Sequence, residues 1–97
     1  MILNIFSRNI EAQKELFVNV MNTAVQQNTM LLIQDAVYFG LELDHFILSN
    51  HNINNIYALK QDVVARGLVN NYPEYIKLIN YNNFVTLVIN HDRTITY

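Results

Sequence analysis

The sequence has 97 residues, enough for one domain with a single core. It contains no cysteine, which excludes disulfides, thiolate metal sites and a thiol nucleophile. The net charge is −2 and the Lys and Arg residues are scattered singly, so direct binding to nucleic acid is not expected.

The first third of the chain predicts two strands separated by a helix. Residues Met1 to Phe6 are apolar and β-prone, which indicates a first strand. A helix follows, and its apolar residues at 3.6-residue spacing are Phe17, Val20, Met21 and Ala24. The run Met30 to Ile33 is apolar without a break and stops at Gln34-Asp35. A run of this length is typical of a central strand that is buried on both faces of a parallel sheet.

The remaining residues predict three more strands and the helices between them. Asp35 is expected to cap a helix through Ala36–Phe39, with a break at Gly40 and a further helical piece at Leu41–Leu48. The other predicted elements, in order, are a loop at Ser49–Asn52, a strand at Asn55–Leu59, a helix at Lys60–Arg66 closed by Gly67, a loop at Asn70–Pro73, a strand at Tyr75–Ile79, a helix capped by Asn80 and a last strand at Thr94–Tyr97. In the Asn80-capped helix, the apolar residues at i, i+3, i+4 and i+7 are Tyr81, Phe84, Val85 and Val88.

Alternation of strands and helices predicts an α/β fold. We expect a three-layer α/β/α domain over residues 1–97, with a mostly parallel sheet of about five strands. Only 14% of residues are charged, against about 25% in typical soluble domains, while 52% are hydrophobic. A small domain of this composition is expected to leave apolar surface that a partner covers.

The pattern Gln-Asp occurs twice where a predicted strand gives way to a helix, at Asp35 and Asp62. The carboxyl ends of parallel strands are where α/β proteins usually meet ligands and partners. The two carboxylates are expected either to cap their own helices or to hold a cation or a partner's arginine. Arg66 lies one helical turn after Asp62 and can pair with it. Tyr38 precedes Phe39, and at least one of these two aromatic side chains should point outward, with Tyr38 the candidate interface residue.

No pattern in the sequence indicates a catalytic or cofactor site. The chain has only two glycines and therefore no phosphate-binding loop, and the spacing of its three histidines does not suggest a metal site. No apolar run approaches the roughly 18–20 residues of a membrane span. The start, Met-Ile-Leu-Asn, does not resemble a signal peptide, so a cytoplasmic location is expected.

Three stretches resemble the TusB/DsrH family of sulfur-relay proteins. They are Leu31–Tyr38 (LLIQDAVY), Ala58–Leu68 (ALKQDVVARGL) and Ile79–Val88 (INYNNFVTLV), the last running on to His91. Ala36 stands where the family has glycine, Asn80 and Asn83 where it has aspartates, and Tyr97 where it has tryptophan. DsrH-type relatives from sulfur oxidisers carry a cysteine on the first helix, and the matching stretch Phe17–Met21 has none.

The resemblance implies a subunit without catalytic residues or cofactors. It implies assembly with TusC-like and TusD-like subunits in a heterohexamer that passes persulfide sulfur toward 2-thiouridine at the tRNA wobble position. The sulfur-carrying cysteine would belong to the TusD-like subunit. Three alternatives remain: a self-associating α/β domain outside the relay, a DsrH-like subunit in sulfur oxidation, and a small enzyme that uses the edge around Asp35 and Asp62.

Overall fold

Five short strands form one parallel sheet with the predicted central strand in its middle. The computed structural model describes residues 1–22, 28–43 and 55–97. The strands are β1 (Ile2–Phe6), β2 (Asn28–Leu32), β3 (Ile56–Leu59), β4 (Lys77–Ile79) and β5 (Arg93–Thr96). Their order is β4-β3-β2-β1-β5, and the neighbouring strands run parallel. Four of the five residues of β2 are buried, which confirms the strand predicted around Met30 to Ile33.

Helices lie on both faces of the sheet. In the described residues they are α1 (Glu11–Asn22), a 3₁₀ helix (Gln34–Leu41), α2 (Lys60–Ala65), a short 3₁₀ turn (Val69–Asn71) and α3 (Tyr81–Ile89). Connections between parallel strands are right-handed, so the steps from β1 through β4 place α1, the 3₁₀ helix and α2 on one face. The step from β4 back to β5 runs the opposite way and places α3 on the other face. The predicted three-layer α/β/α fold is confirmed.

The two faces of the sheet are packed unequally. The first face holds the main cluster of buried side chains, in which the rings of Phe6 and Phe17 meet edge to face at 5.3 Å. The buried cluster on the second face consists of Leu3, Ile5 and Leu31. Two side chains of α3 that pack against this second cluster, Phe84 and Leu87, are themselves only partly buried. The first face therefore carries most of the hydrophobic stabilisation.

Two predicted helix-end features are confirmed. Asn80 begins α3 with a capping box: its Oδ1 accepts the Asn83 backbone N–H at 2.8 Å, and Asn83 Oδ1 accepts the Asn80 backbone N–H at 3.3 Å. Gly67 follows α2 with a φ of +69°, a conformation that costs other residues roughly 1–2 kcal/mol. Both ends are thus fixed by residue types visible in the sequence.

Some element bounds differ from those expected. The helix predicted at Ala36–Phe39 is a 3₁₀ helix from Gln34 to Leu41. The break expected at Gly40 is wrong, because this helix runs through that residue. The strand predicted from Tyr75 begins at Lys77, because Ile76 donates its backbone N–H to the Pro73 carbonyl in a turn. Ala24, residues 44–48 and the predicted loop 49–52 lie outside the described residues. Within the described ranges, no helix combines the length and the hydropathy that crossing a bilayer requires.

Candidate functional site

The carboxyl ends of β2 and β3 bring three of the predicted residues together. The two strands are neighbours, with Leu32 paired to Ala58, so the segments that follow them emerge side by side. One segment opens the 3₁₀ helix with Gln34 and Asp35, and the other opens α2, which positions Asp62 and Arg66. These four residues, Gln34, Asp35, Asp62 and Arg66, are called the rim cluster below.

Arg66 links both carboxylates of the rim cluster. Its Nε and Nη2 atoms donate to Asp35 Oδ1 at 3.0 and 2.8 Å. Its Nη1 donates to the Asp62 carbonyl oxygen at 3.2 Å and lies 3.6 Å from Asp62 Oδ1. The pairing of Arg66 with Asp62 is therefore confirmed, but Asp35 is the closer partner. The Asp35 side chain is 64% exposed, so this ion pair stabilises the fold by at most about 1 kcal/mol.

Asp62 holds the turn at the end of β2. Its Oδ2 accepts the backbone N–H of Gln34 at 2.7 Å. Gln34 has a φ of +51°, a left-handed conformation that costs a residue with a Cβ roughly 1–2 kcal/mol. A hydrogen bond to a charged acceptor is worth about 1.5–3 kcal/mol when it is shielded from water, and less here at the surface. Asp62, which follows β3, thereby offsets part of the strain in the turn that follows β2.

The expectation that Asp35 and Asp62 cap their own helices is wrong. The N-cap positions are Ile33 for the 3₁₀ helix and Leu59 for α2, and neither apolar side chain can accept a hydrogen bond. Asp35 lies in the first turn of the 3₁₀ helix and accepts hydrogen bonds from Arg66. Asp62 lies in the first turn of α2 and accepts the backbone N–H of Gln34. In one alternative the two carboxylates held a partner's arginine, but here the chain's own Arg66 contacts both of them.

Tyr38 lies apart from the rim cluster contacts, on the outer side of the 3₁₀ helix. It is half-buried, while its neighbours Val37 and Phe39 are buried, so Tyr38 is the more exposed of the two aromatic side chains. Its role at an interface remains a prediction. Behind it, Tyr72 donates its hydroxyl to the Val37 carbonyl oxygen at 2.9 Å.

The close approach of Tyr72 depends on Gly40. A Cβ at position 40 would lie 2.8 Å from Tyr72 Cε1 and closer still to the end of the phenol ring. Burial of this phenol also raises the pKa of Tyr72 above its ordinary value near 10. Tyr72 was not among the predicted site residues, because its only signal in the sequence is an aromatic side chain before Pro73 in a segment expected to be a loop.

The stripe predicted to face the core in α3 is mostly wrong. Three of the four residues that formed its expected amphipathic stripe, Tyr81, Val85 and Val88, are exposed. The side chains that face the sheet are Phe84 and Leu87. The outer face of α3 therefore exposes apolar side chains to solvent.

Comparison with known proteins shows the family of this chain. The family model described as "DsrH like protein" matches residues 11–94, which include all four predicted site residues. The chain belongs to the DsrH-like family. This confirms the resemblance seen in the three segments and supports a sulfur-relay subunit at the level of the family.

Named relatives agree with membership of the DsrH-like family. The chain is 30% identical over 80 residues to Protein TusB of Buchnera aphidicola subsp. Baizongia pistaciae, covering 80% of this chain and 83% of that protein. It is 32% identical over 79 residues to Protein TusB of Yersinia pestis strain Pestoides F, with the same two coverages. The crystal structure of the YchN protein from E. coli superposes with a TM-score of 0.71 at 12% identity, covering 99% of this chain and 97% of YchN. That likeness shows the fold.

Within the described residues, no group of three or more His, Cys, Asp or Glu side chains is arranged to hold a metal ion. The rim cluster contains two carboxylates and a guanidinium that neutralise one another in part, with backbone as their other partner. Such an arrangement can fix the shape of an edge and offer it to a partner.

Proposed function

We propose that this chain is a non-catalytic subunit of a TusBCD-like complex that passes persulfide sulfur toward 2-thiouridine at the tRNA wobble position. Its partners are a TusC-like and a TusD-like subunit, two copies of each chain forming a heterohexamer. The observation that carries the proposal is a match to the DsrH-like family in a chain without cysteine. Because a persulfide forms on a thiolate, the sulfur must be carried by another subunit.

The rim cluster and Tyr38 are proposed as part of the surface that meets a partner. The ion pairs and the Asp62 bond to Gln34 tie the end of β2 to α2. The contact between Tyr72 and Val37 holds the 3₁₀ helix from its inner side. The half-buried Tyr38 therefore lies on a segment that is already ordered, which lowers the entropy cost of docking.

The experiment is reconstitution with the TusC-like and TusD-like subunits of the same organism. A cysteine desulfurase and ³⁵S-cysteine would supply the sulfur, and intact-protein mass spectrometry would show which chain carries it. We expect one complex that contains all three chains, label on the TusD-like subunit, and none on this chain. In a deletion strain, nucleoside analysis should show loss of wobble 2-thiouridine.

Tyr38→Asp tests the interface within the same experiment. Burial of an unpaired carboxylate against a partner costs several kcal/mol, so the variant complex should dissociate toward its parts. Tyr38→Phe is the matched control and should assemble normally. Normal 2-thiouridine in the deletion strain, or stable label on this chain, would contradict the proposal.

A further inference from the structure

The outer face of α3 is apolar where a surface helix is normally polar. Four side chains form it: Tyr81, Val85, Val88 and Ile89, which are 61%, 45%, 36% and 74% exposed. They are called the α3 stripe. Together with Phe84 and Leu87, the apolar residues span about 200° of the helix circumference, whereas packing on one sheet takes roughly 100°. The helix thus has a second apolar face in addition to the one that meets the sheet.

The α3 stripe is held rigidly by contacts at both ends of the helix. The capping box of Asn80 and Asn83 fixes the start. After the end, His91 bridges two elements: Nδ1 lies 2.6 Å from the Leu87 carbonyl oxygen and Nε2 lies 2.7 Å from Thr29 Oγ1 of β2. The Tyr81 ring also packs edge to face on Phe84 at 5.8 Å. A surface ordered before binding loses little conformational entropy when it docks.

A groove adjoins the start of the stripe. It has a volume of about 430 Å³ and is lined by Lys60, Gln61, Val64, Ala65 and Asn80. Asn80 is the residue directly before Tyr81, and Val64 in the groove is 51% exposed. The groove and the start of the α3 stripe therefore meet at Asn80, at the carboxyl edge of the sheet.

Area and charge decide what can cover this surface. A large apolar side chain exposes on the order of 100 Å², so the four half-exposed side chains of the stripe supply on the order of 200 Å². A stable interface needs about 800 Å² from each partner, so the stripe alone is too small for any partner, and whatever covers it must extend beyond α3. The whole of α3 is uncharged, which favours an uncharged opposing surface because burial of an unpaired charge is costly.

Lys60 adds a second requirement at the edge of the groove. It is exposed, and it makes no ion pair with any residue in the described ranges. If the α3 stripe of a second copy lay over the groove, it would bring amides and hydroxyls to Lys60 but no carboxylate. A partner that combines an apolar helix face with a flanking acidic side chain fits both features.

We infer that the α3 stripe and the adjoining groove dock such a helix from another subunit of the proposed complex. The inference rests on the proposed function and assigns one of its contact surfaces. It places an apolar contact at Val85 and Ile89, and an ionic contact at Lys60. The Tyr38 surface is a separate part of the chain.

The test compares variants in the co-expressed complex by size exclusion and by titration of the purified chains. Val85→Asp with Ile89→Asp should weaken assembly by on the order of 100-fold. Lys60→Glu should weaken it by about tenfold, with the effect reduced at high salt. The matched control is Val69→Asp, because Val69 is 42% exposed in the short 3₁₀ turn, away from α3. It should assemble within about threefold of the wild type.

The outcomes separate this inference from the proposed function. If the wild-type chain fails to join the other two subunits, the proposed function is wrong. If it joins them and the folded stripe variant and Lys60→Glu both bind as tightly as wild type, only the docking surface is wrong. If the chain alone forms a dimer that the stripe variant dissolves, while the three-subunit complex persists, the stripe binds a second copy and the inference is overturned. Circular dichroism of each variant reports its fold, and Lys60→Glu preserves the test if the stripe variant misfolds.

Discussion

Gly40→Ala tests the packing that holds the 3₁₀ helix beneath Tyr38. The new methyl group would overlap the Tyr72 ring, which is 9% exposed and cannot swing into solvent without leaving the core. Overpacking of this kind costs about 1–3 kcal/mol. Displacement of the ring would also leave the Val37 carbonyl oxygen without its hydroxyl donor, at a further 1–3 kcal/mol. We expect a total loss of about 2–6 kcal/mol in the free energy of unfolding.

Urea denaturation followed by circular dichroism measures this loss, and two comparisons identify its cause. Adding Tyr72→Leu to Gly40→Ala should make the double variant more stable than the sum of the single changes predicts, because the smaller side chain removes the overlap. Gly67→Ala is the control glycine: its Cβ would meet open space among the described residues, so it should lose only the roughly 1–2 kcal/mol of a left-handed alanine. A Gly40→Ala protein within 1 kcal/mol of wild type, or strictly additive single and double variants, would refute the argument.

Three further predictions concern single contacts. Asp62→Ala should lower the free energy of unfolding by about 1 kcal/mol, the usual cost of removing a side chain that accepts a backbone N–H at the start of a helix. Asp62→Asn should lower it by less, because asparagine keeps an acceptor for the Gln34 N–H, and chemical denaturation measures both variants. Asn80→Ala should cost about 1 kcal/mol through loss of the capping box, while Asn80→Asp should gain a few tenths from the helix dipole, measured by thermal melting at pH 7. The raised pKa of Tyr72 means that the folded chain keeps its phenol proton at a pH where the unfolded chain loses it. Stability should therefore fall by about 1.4 kcal/mol per pH unit above pH 10, and Tyr72→Phe should lack this component in urea titrations at pH 9–11.

The sequence predicted those features that depend on local chemistry. The five strands were located because each is a short apolar or β-branched run, and α3 was located because Asn80 is a strong N-cap. Gly67 was correctly expected at the end of α2, since few other residues adopt a left-handed turn cheaply. The fold class followed from the alternation of these elements.

Features that depend on contacts between distant residues were predicted less well. Asp62 was expected to serve its own helix because its bond to Gln34, 28 positions away, leaves no local pattern. The same holds for Arg66 and Asp35, which are 31 positions apart. In α3, periodicity could not distinguish Phe84 from Val85, because both faces of the helix are apolar and only the packed sheet determines which one is buried.

The strand order has a consequence for synthesis on the ribosome. β5 is the edge strand next to β1. Residues 2–6 therefore gain their second neighbouring strand only when residues 93–96 have been made. Until then β1 is an unpaired sheet edge, and most of its side chains are ones that the folded protein buries. Such an edge can pair with other chains. Any chaperone or partner that shields this edge during translation would act before residues 81–89 of α3 have been made and have crossed the second face to bring β5 into place.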